Sequence, residues 1–116
     1  MIVFGKKVSG KDAVKGLMYI KKPLWNNNGM LFDMADHPKN HSMWMKDTLI
    51  PLDIIFLDRE YNVVGVIHNT EPLSERSLFV NKMSYYIIET NAGFCNKYHI
   101  VSGMNITDKF NLVTIQ

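Results

Sequence analysis

The sequence has little of what stabilises secreted or membrane-spanning proteins. Cys95 is its one cysteine, which excludes an internal disulfide and a zinc site built from several cysteines. Unbroken apolar runs are short, such as Ile54–Leu57, whereas a helix needs roughly 20 apolar residues to cross a bilayer. The first residues, Met1–Lys7, lack the apolar core of a secretory signal. We therefore expect a cytoplasmic protein with no membrane partner, and a virion location stays open.

A large excess of charge of either sign is also missing. Thirteen Lys and Arg residues stand against 11 Asp and Glu residues, which gives a net charge of +2. That excess is too small to indicate a nucleic-acid partner. The chain has 116 residues, 47% of them hydrophobic, which is enough to bury one core without disulfides. We therefore expect a single domain over residues 1–116.

Short apolar segments separated by polar turns predict a mainly β fold with one or two short helices. The helices are predicted over Ala13–Ile20 and Phe94–Ile100. The middle strands follow one another too closely for crossover helices, so we expect a compact antiparallel β barrel or jelly-roll-like sandwich. The predicted strands cover residues 1–8, 29–34, 43–47, 52–58, 63–68, 85–90 and 111–116.

The segment Leu52–Asp58 is the strongest predicted strand, and it contains a carboxylate among apolar side chains. Both of its faces are apolar, which predicts Asp53 at the mouth of an apolar slot. A carboxylate there needs hydrogen-bond donors or a cation, and Lys46 and Thr48 are the candidates on the preceding segment. Asp53 is then either a polar anchor or general base at a ligand slot, or a structural ion pair or turn cap that fixes the bend at Ile50–Leu52.

A second candidate feature is an indole beside a lysine. Trp44, Lys46 and Thr48 are predicted on one face of their strand, where Trp and Lys together can form an aromatic and cationic ligand shelf. Packing of Trp44 in the core, with Lys46 at its rim, is the alternative. Glu89 could add a second carboxylate to Asp53, although the sequence does not give their separation.

Metal ligands are weakly indicated. Asp33, Asp36, His37 and His41 form the most metal-like cluster, but Pro38 between the two histidines favours a solvated loop. The eight methionines are more typical of adaptable cores than of copper sites. We therefore expect no metal and no cofactor.

Cys95 and His99 are spaced so that they could meet on a short helix. A Cys–His pair is a nucleophile geometry in principle, but no orienting third group accompanies it in the sequence. Cys95 is therefore predicted to be a small apolar core contact.

Several motifs give the chain a resemblance to a known family. The segments Gly16–Met18, Gly29–Phe32 and Met43–Asp58 are similar to the motifs G-L-M, G-M-L-F and F-W-M-K-N-T-x-I-P-L-D-I-I-F-I-D of the domain of unknown function 192 family. Tyr86–Gly93 and His99–Met104 resemble its C-terminal motifs. The resemblance implies a compact, mostly antiparallel β fold, and it implies no established activity.

The chain departs from these family motifs at several positions. Met43 stands for the usual Phe, Asp47 for the usual Asn, and Met104 for the usual Asp. Ile20 or Lys21 stands where the family commonly has Arg, so a shared site that needs this Arg would be altered here. Many members carry a signal peptide or lipid anchor, and this sequence resembles the phage-borne or intracellular copies without one.

These features favour a non-enzymatic module that binds a small ligand or a protein segment, because no complete catalytic set is present. One alternative is a hydrolase that uses Asp53 with Lys46 or Glu89. Another is a structural or accessory component of a larger assembly, such as a phage particle. The predicted ligand-binding residues are Trp44, Lys46, Thr48, Asp53 and Glu89.

Overall fold

The computed structural model describes residues 2–5, 29–107 and 111–114. Within these ranges, no helix has the length and apolar character needed to cross a bilayer. The strands are β1 (Ile2–Gly5), β2 (Gly29–Asp33), β3 (Leu52–Leu57), β4 (Val63–Ile67), β5 (Tyr86–Asn91) and β6 (Asn111–Thr114), and the helix α1 covers Phe94–Lys97.

Four of the strands form an antiparallel sheet in the order β2-β5-β3-β4. The interior strand β3 pairs with β5 from Leu52↔Asn91 to Leu57↔Tyr86, and on its other side with β4. The mainly β, antiparallel prediction is confirmed, but "barrel" describes the fold only loosely because the sheet is not closed. The strands β1 and β6 pair in parallel, which the sequence analysis did not predict.

Both faces of the sheet are covered, and this explains why β3 lacks a polar face. All six residues of β3 are buried, as is typical of a strand with packed layers on both sides. The first core lies on the face towards α1 and includes Leu31, Ile55, Leu57, Ile88, Phe94, Cys95 and Ile100. The second core lies on the opposite face and includes Phe32, Ile54, Phe56 and Ile87, with Met43, Leu78 and Val80 packed against them.

A β-bulge sets the register of the β3–β4 hairpin. Leu57 pairs with Val63, whereas Phe56 pairs with Gly65, so Val64 is the extra residue. A shift of one residue moves side chains to the opposite face of a strand. The bulge therefore decides which side chains at the far end of β4 share a face with those of β3.

Two local predictions are wrong. Residues 43–47 do not form a strand: Met43 makes an isolated bridge, and the chain then turns at Asp47, whose φ is 55°. The helix α1 ends at Lys97 rather than at Ile100, because the chain leaves the helical conformation before His99, whose φ is 56°. The predicted helix over Ala13–Ile20 lies outside the described residues.

Gly65 leaves the space that Val80 fills above β4. A Cβ atom added at Gly65 would lie 2.6 Å from the Cβ of Val80, which is closer than packed atoms tolerate. We expect Gly65→Ala to lower the free energy of unfolding by about 1–3 kcal/mol, because overpacking forces the backbone to shift. Urea denaturation measures this loss. The same substitution should cost clearly less in a Val80→Gly background, and an equal cost in both backgrounds would show that this contact is not the cause.

Candidate functional site

Asp53 is anchored by main-chain donors inside the first core. Its side chain is 1% exposed. Oδ1 accepts the N–H of Asn69 and Oδ2 accepts the N–H of Cys95, both at 2.9 Å. Such charge-assisted bonds compensate the burial of a carboxylate. Asp53 therefore ties β3 to the corner that follows β4 and to the start of α1.

The structure gives Asp53 other partners than the predicted Lys46 and Thr48. The Lys46 ammonium lies 5.2 Å from the centre of the Trp44 ring. Thr48 is buried, and its Oγ1 donates to the main-chain oxygen of Lys46 at 3.3 Å. The contacts of Asp53 support the interpretation of its carboxylate as a structural cap, although the cap holds distant segments rather than the bend before β3.

Two further side chains lie near the Asp53 carboxylate. One ligand atom each of Asp53, His68 and Cys95 lie within 4.8 Å of one another. Asp53 and Cys95 are buried, whereas His68 is exposed at the end of β4. We name this group the Asp53–His68–Cys95 cluster.

The thiol of this cluster is poorly suited to act as a nucleophile. Burial, together with the charge of Asp53 and a hydrogen bond to it, raises the pKa of the Cys95 thiol above its usual range, and nucleophilic attack requires a thiolate. The helix on which Cys95 and His99 could have met ends at Lys97, and Cys95 is buried in the first core, as predicted.

Glu89 faces the second core, on the other side of the sheet from Asp53. It pairs with Met30 on β2 and Ile54 on β3, whereas Asp53 pairs with Thr90. Since neighbouring residues of a strand point to opposite faces, Asp53 and Glu89 do not form one carboxylate pair. Burial raises the pKa of Glu89 to about 8, so its carboxyl group is mainly protonated at neutral pH.

The surface around Trp44 contains a small pocket. Met43 and Leu78 form an isolated bridge, and both pack against the second core. Trp44 follows Met43 and is 41% exposed. The pocket has a volume of about 210 Å³ and is lined by Ser42, Met43, Trp44 and Ser77. We name it the Trp44 pocket.

The structure brings together two of the five residues that the sequence analysis singled out. The Lys46 ammonium lies over the Trp44 ring and Trp44 lines the pocket, whereas Thr48, Asp53 and Glu89 are buried. Ser42 and Ser77 at the pocket were not predicted from the sequence. His68 was not predicted either, because its place beside Asp53 depends on the fold at the end of β4.

The loop that the sequence marks as metal-like is held by local hydrogen bonds. His41 donates from Nε2 to the main-chain oxygen of His37 at 2.9 Å, and burial lowers the pKa of His41. The Oδ1 atom of Asp33 accepts the N–H of Ala35 at 3.0 Å. Within the described residues, Asp33, Asp36, His37 and His41 do not bring three ligand atoms together.

Known proteins resemble this chain in sequence and in fold. The model of the family DUF192, described as an uncharacterised ACR, matches residues 8–107. A protein from Sinorhizobium meliloti, provisionally described as a transcription regulator, has 27% identity and a TM-score of 0.77, over 88% of this chain and 76% of that chain. A protein of unknown function from Novosphingobium aromaticivorans has 28% identity and a TM-score of 0.76, over 88% of this chain and 69% of that chain. No curated protein matches the chain.

We expect Glu89→Gln to remove a pH dependence of stability. The pKa of Glu89 is about 8 in the folded chain, against 4.5 for an ordinary Glu, so between these pH values the folded state holds a proton that the unfolded state has released. The free energy of unfolding therefore falls as the pH rises through this range, by up to about 1.4 kcal/mol per pH unit. Glutamine cannot ionise, so the variant should lose this slope and exceed the parent in stability by a few kcal/mol near pH 8.

Urea denaturation between about pH 5 and pH 9 measures this effect across the expected window. Glu75→Gln is the matched control, because Glu75 is exposed and should leave the slope unchanged. A Glu89→Gln variant with the same slope as the parent would contradict a protonated carboxyl group in the second core.

Proposed function

The chain belongs to the DUF192 family of uncharacterised proteins, and we propose that it is a non-catalytic module that binds a short acidic protein segment at the Trp44 pocket. The observation that carries this proposal is the exposed Trp44 ring, with a pocket on the surface beside it and the Lys46 ammonium 5.2 Å from its centre. A ring with an apolar body and a polar N–H, next to a cation, is typical of recognition sites.

The size of the pocket favours a side chain over a larger ligand. Its volume is about 210 Å³, below the roughly 300–1,000 Å³ that encloses a typical small-molecule ligand. Ser42 and Ser77 line the pocket and supply hydroxyl groups that can donate or accept hydrogen bonds. A single side chain of a bound segment would fit this space and leave the rest of the segment on the surface.

The charge and the surroundings of the pocket favour an acidic segment. Lys46 is exposed beside the Trp44 ring, where a carboxylate can approach the ammonium group without losing all of its hydration. Phe79 follows Leu78 on the segment bridged to Met43, and Phe79 is 53% exposed. Trp44 and Phe79 together offer exposed aromatic area, and aromatic residues are enriched in protein interfaces.

The other functions considered have less support. A hydrolase built on Asp53 and Glu89 would need both carboxylates at one substrate atom, and they face opposite sides of the sheet. The description of the S. meliloti protein suggests a role in gene regulation. A net charge of only +2 does not support DNA binding, because DNA-binding domains carry a clear basic excess. The assembly role stays a prediction.

We expect short peptides that end in Asp or Glu to bind at Trp44 with a Kd of about 1 mM or below. Neutral peptides that end in Asn or Gln, with an amide in place of the C-terminal carboxylate, should bind more weakly. The measurement is a titration of the chain followed by the indole and backbone N–H resonances in ¹⁵N NMR spectra, in which the backbone resonances of Ser42 and Ser77 at the pocket report binding in variants without Trp44. The chain has two tryptophans, and the spectrum of Trp44→Ala identifies the resonance of Trp44.

Matched variants separate the roles of the ring and the cation. Trp44→Ala should weaken binding by about tenfold or more, and Lys46→Gln should remove the preference for acidic peptides. The controls are Leu73→Ala and Lys82→Gln, since both side chains are exposed outside the residues that line the pocket. Binding that survives Trp44→Ala, or no shift with any peptide, would overturn the proposal.

A further inference from the structure

Asp53, His68 and Cys95 offer an oxygen, a nitrogen and a sulfur atom within 4.8 Å of one another, and we propose that this cluster is a binding site for Zn²⁺. The site is separate from the Trp44 pocket, and the proposal does not rest on the proposed function. Tetrahedral zinc sites use these three ligand types, at roughly 2.0–2.3 Å from the metal. Those bond lengths correspond to ligand atoms roughly 3.5 Å apart, so closure around the ion requires movements of about 1 Å.

The donor set selects the kind of metal. Mg²⁺ and Ca²⁺ prefer oxygen ligands throughout, and Cu(I) prefers soft sulfur ligands. A carboxylate, an imidazole and a thiolate together are of intermediate softness and suit Zn²⁺. Three protein ligands leave the fourth tetrahedral position for water, which is the pattern of open zinc sites.

Two of the ligands are already fixed by the fold. The main-chain N–H groups of Asn69 and Cys95 donate to the two oxygens of Asp53 at 2.9 Å. Once the Cys95 thiol has lost its proton, each oxygen has a second lone pair that can face a metal. Cys95 is fixed by its buried position at the start of α1. These amides are the kind of outer contacts that orient metal-binding carboxylates in other proteins.

The third ligand, His68, can make the movement that closes the site, and its side of the cluster is open to an entering metal ion. His68 follows the last residue of β4 and is exposed, so its ring can rotate towards Asp53 and Cys95 at little cost. His68 directly follows Ile67, which pairs with Ile54 of β3, and its ring lies on the same side of the sheet as Asp53, since their ligand atoms are within 4.8 Å of each other. A metal ion can therefore reach the cluster from the side of His68.

A divalent cation would also compensate the charges in this buried position. Binding exchanges the S–H bond of Cys95 for an S–Zn bond, and the proton leaves to solvent. The carboxylate and the thiolate then carry two negative charges, which the ion neutralises while the imidazole stays neutral. The same carboxylate that disfavours a thiolate in the metal-free chain becomes its co-ligand in the loaded one.

The test uses the metal-free full chain, prepared with a chelator and titrated with CoCl₂ and then with ZnCl₂. Cys95 is the one thiol in the sequence, so a thiolate-to-Co²⁺ charge-transfer band in the near ultraviolet can arise only from this residue. We expect this band to appear at one equivalent of Co²⁺, to be absent in Cys95→Ala, and to disappear when Zn²⁺ displaces Co²⁺. Calorimetry with ZnCl₂ gives the affinity.

A pair of histidine variants locates the site. His68→Gln should weaken Zn²⁺ binding by about tenfold or more, whereas the substitution His37→Gln at another exposed histidine, outside the cluster, should leave the affinity within about twofold. Both substitutions are on the surface, so both variants should fold. Co²⁺ binding without the thiolate band, Zn²⁺ binding that His68→Gln leaves unchanged, or no binding at millimolar metal would each overturn the proposal.

Discussion

The buried carboxylate of Asp53 needs partners, and the fold supplies them from two distant parts of the chain. An ionised group in an apolar interior is tolerated only when hydrogen bonds replace its hydration. The amides of Asn69 and Cys95 do this, and Thr70 adds bonds to Leu52 through its side chain and its main chain. One end of β3, the corner after β4 and the start of α1 are thereby held in one arrangement.

The two covered faces of the sheet explain where the remaining chemistry lies. Asp53 belongs to the face that carries α1, and Glu89 belongs to the opposite face beside Ile54. With both faces packed, side chains available for recognition must come from the segments that cover the sheet. Trp44 and Lys46 lie on such a segment, which explains why the exposed pocket lies there and not at Asp53.

The local parts of this structure were predictable from the sequence, and the parts that depend on distant contacts were not. The burial of Leu52–Leu57 on both faces follows from its apolar composition, and alternation predicted Trp44 and Lys46 on one face, where the ammonium lies 5.2 Å from the centre of the ring. Alternation fails at Thr48 because of the turn at Asp47, whose positive φ the sequence pattern did not indicate.

The partners of Asp53 depend on tertiary structure in a way that residue types cannot reveal. Main-chain amides carry no signature in the sequence, which is why the sequence predicted the side chains of Lys46 and Thr48 as the partners instead. The place of His68 depends on the bulge at Val64; without it, a one-residue shift would turn His68 to the other face.

The most direct measurement of the anchoring role of Asp53 is the free energy of unfolding of Asp53→Asn, compared with that of Asp36→Asn at an exposed position. Asparagine removes the charge and opposes one amide with its own N–H groups, so we expect a loss of about 2–4 kcal/mol at Asp53 and less than about 0.5 kcal/mol at Asp36; an Asp53→Asn variant as stable as the parent would contradict the account.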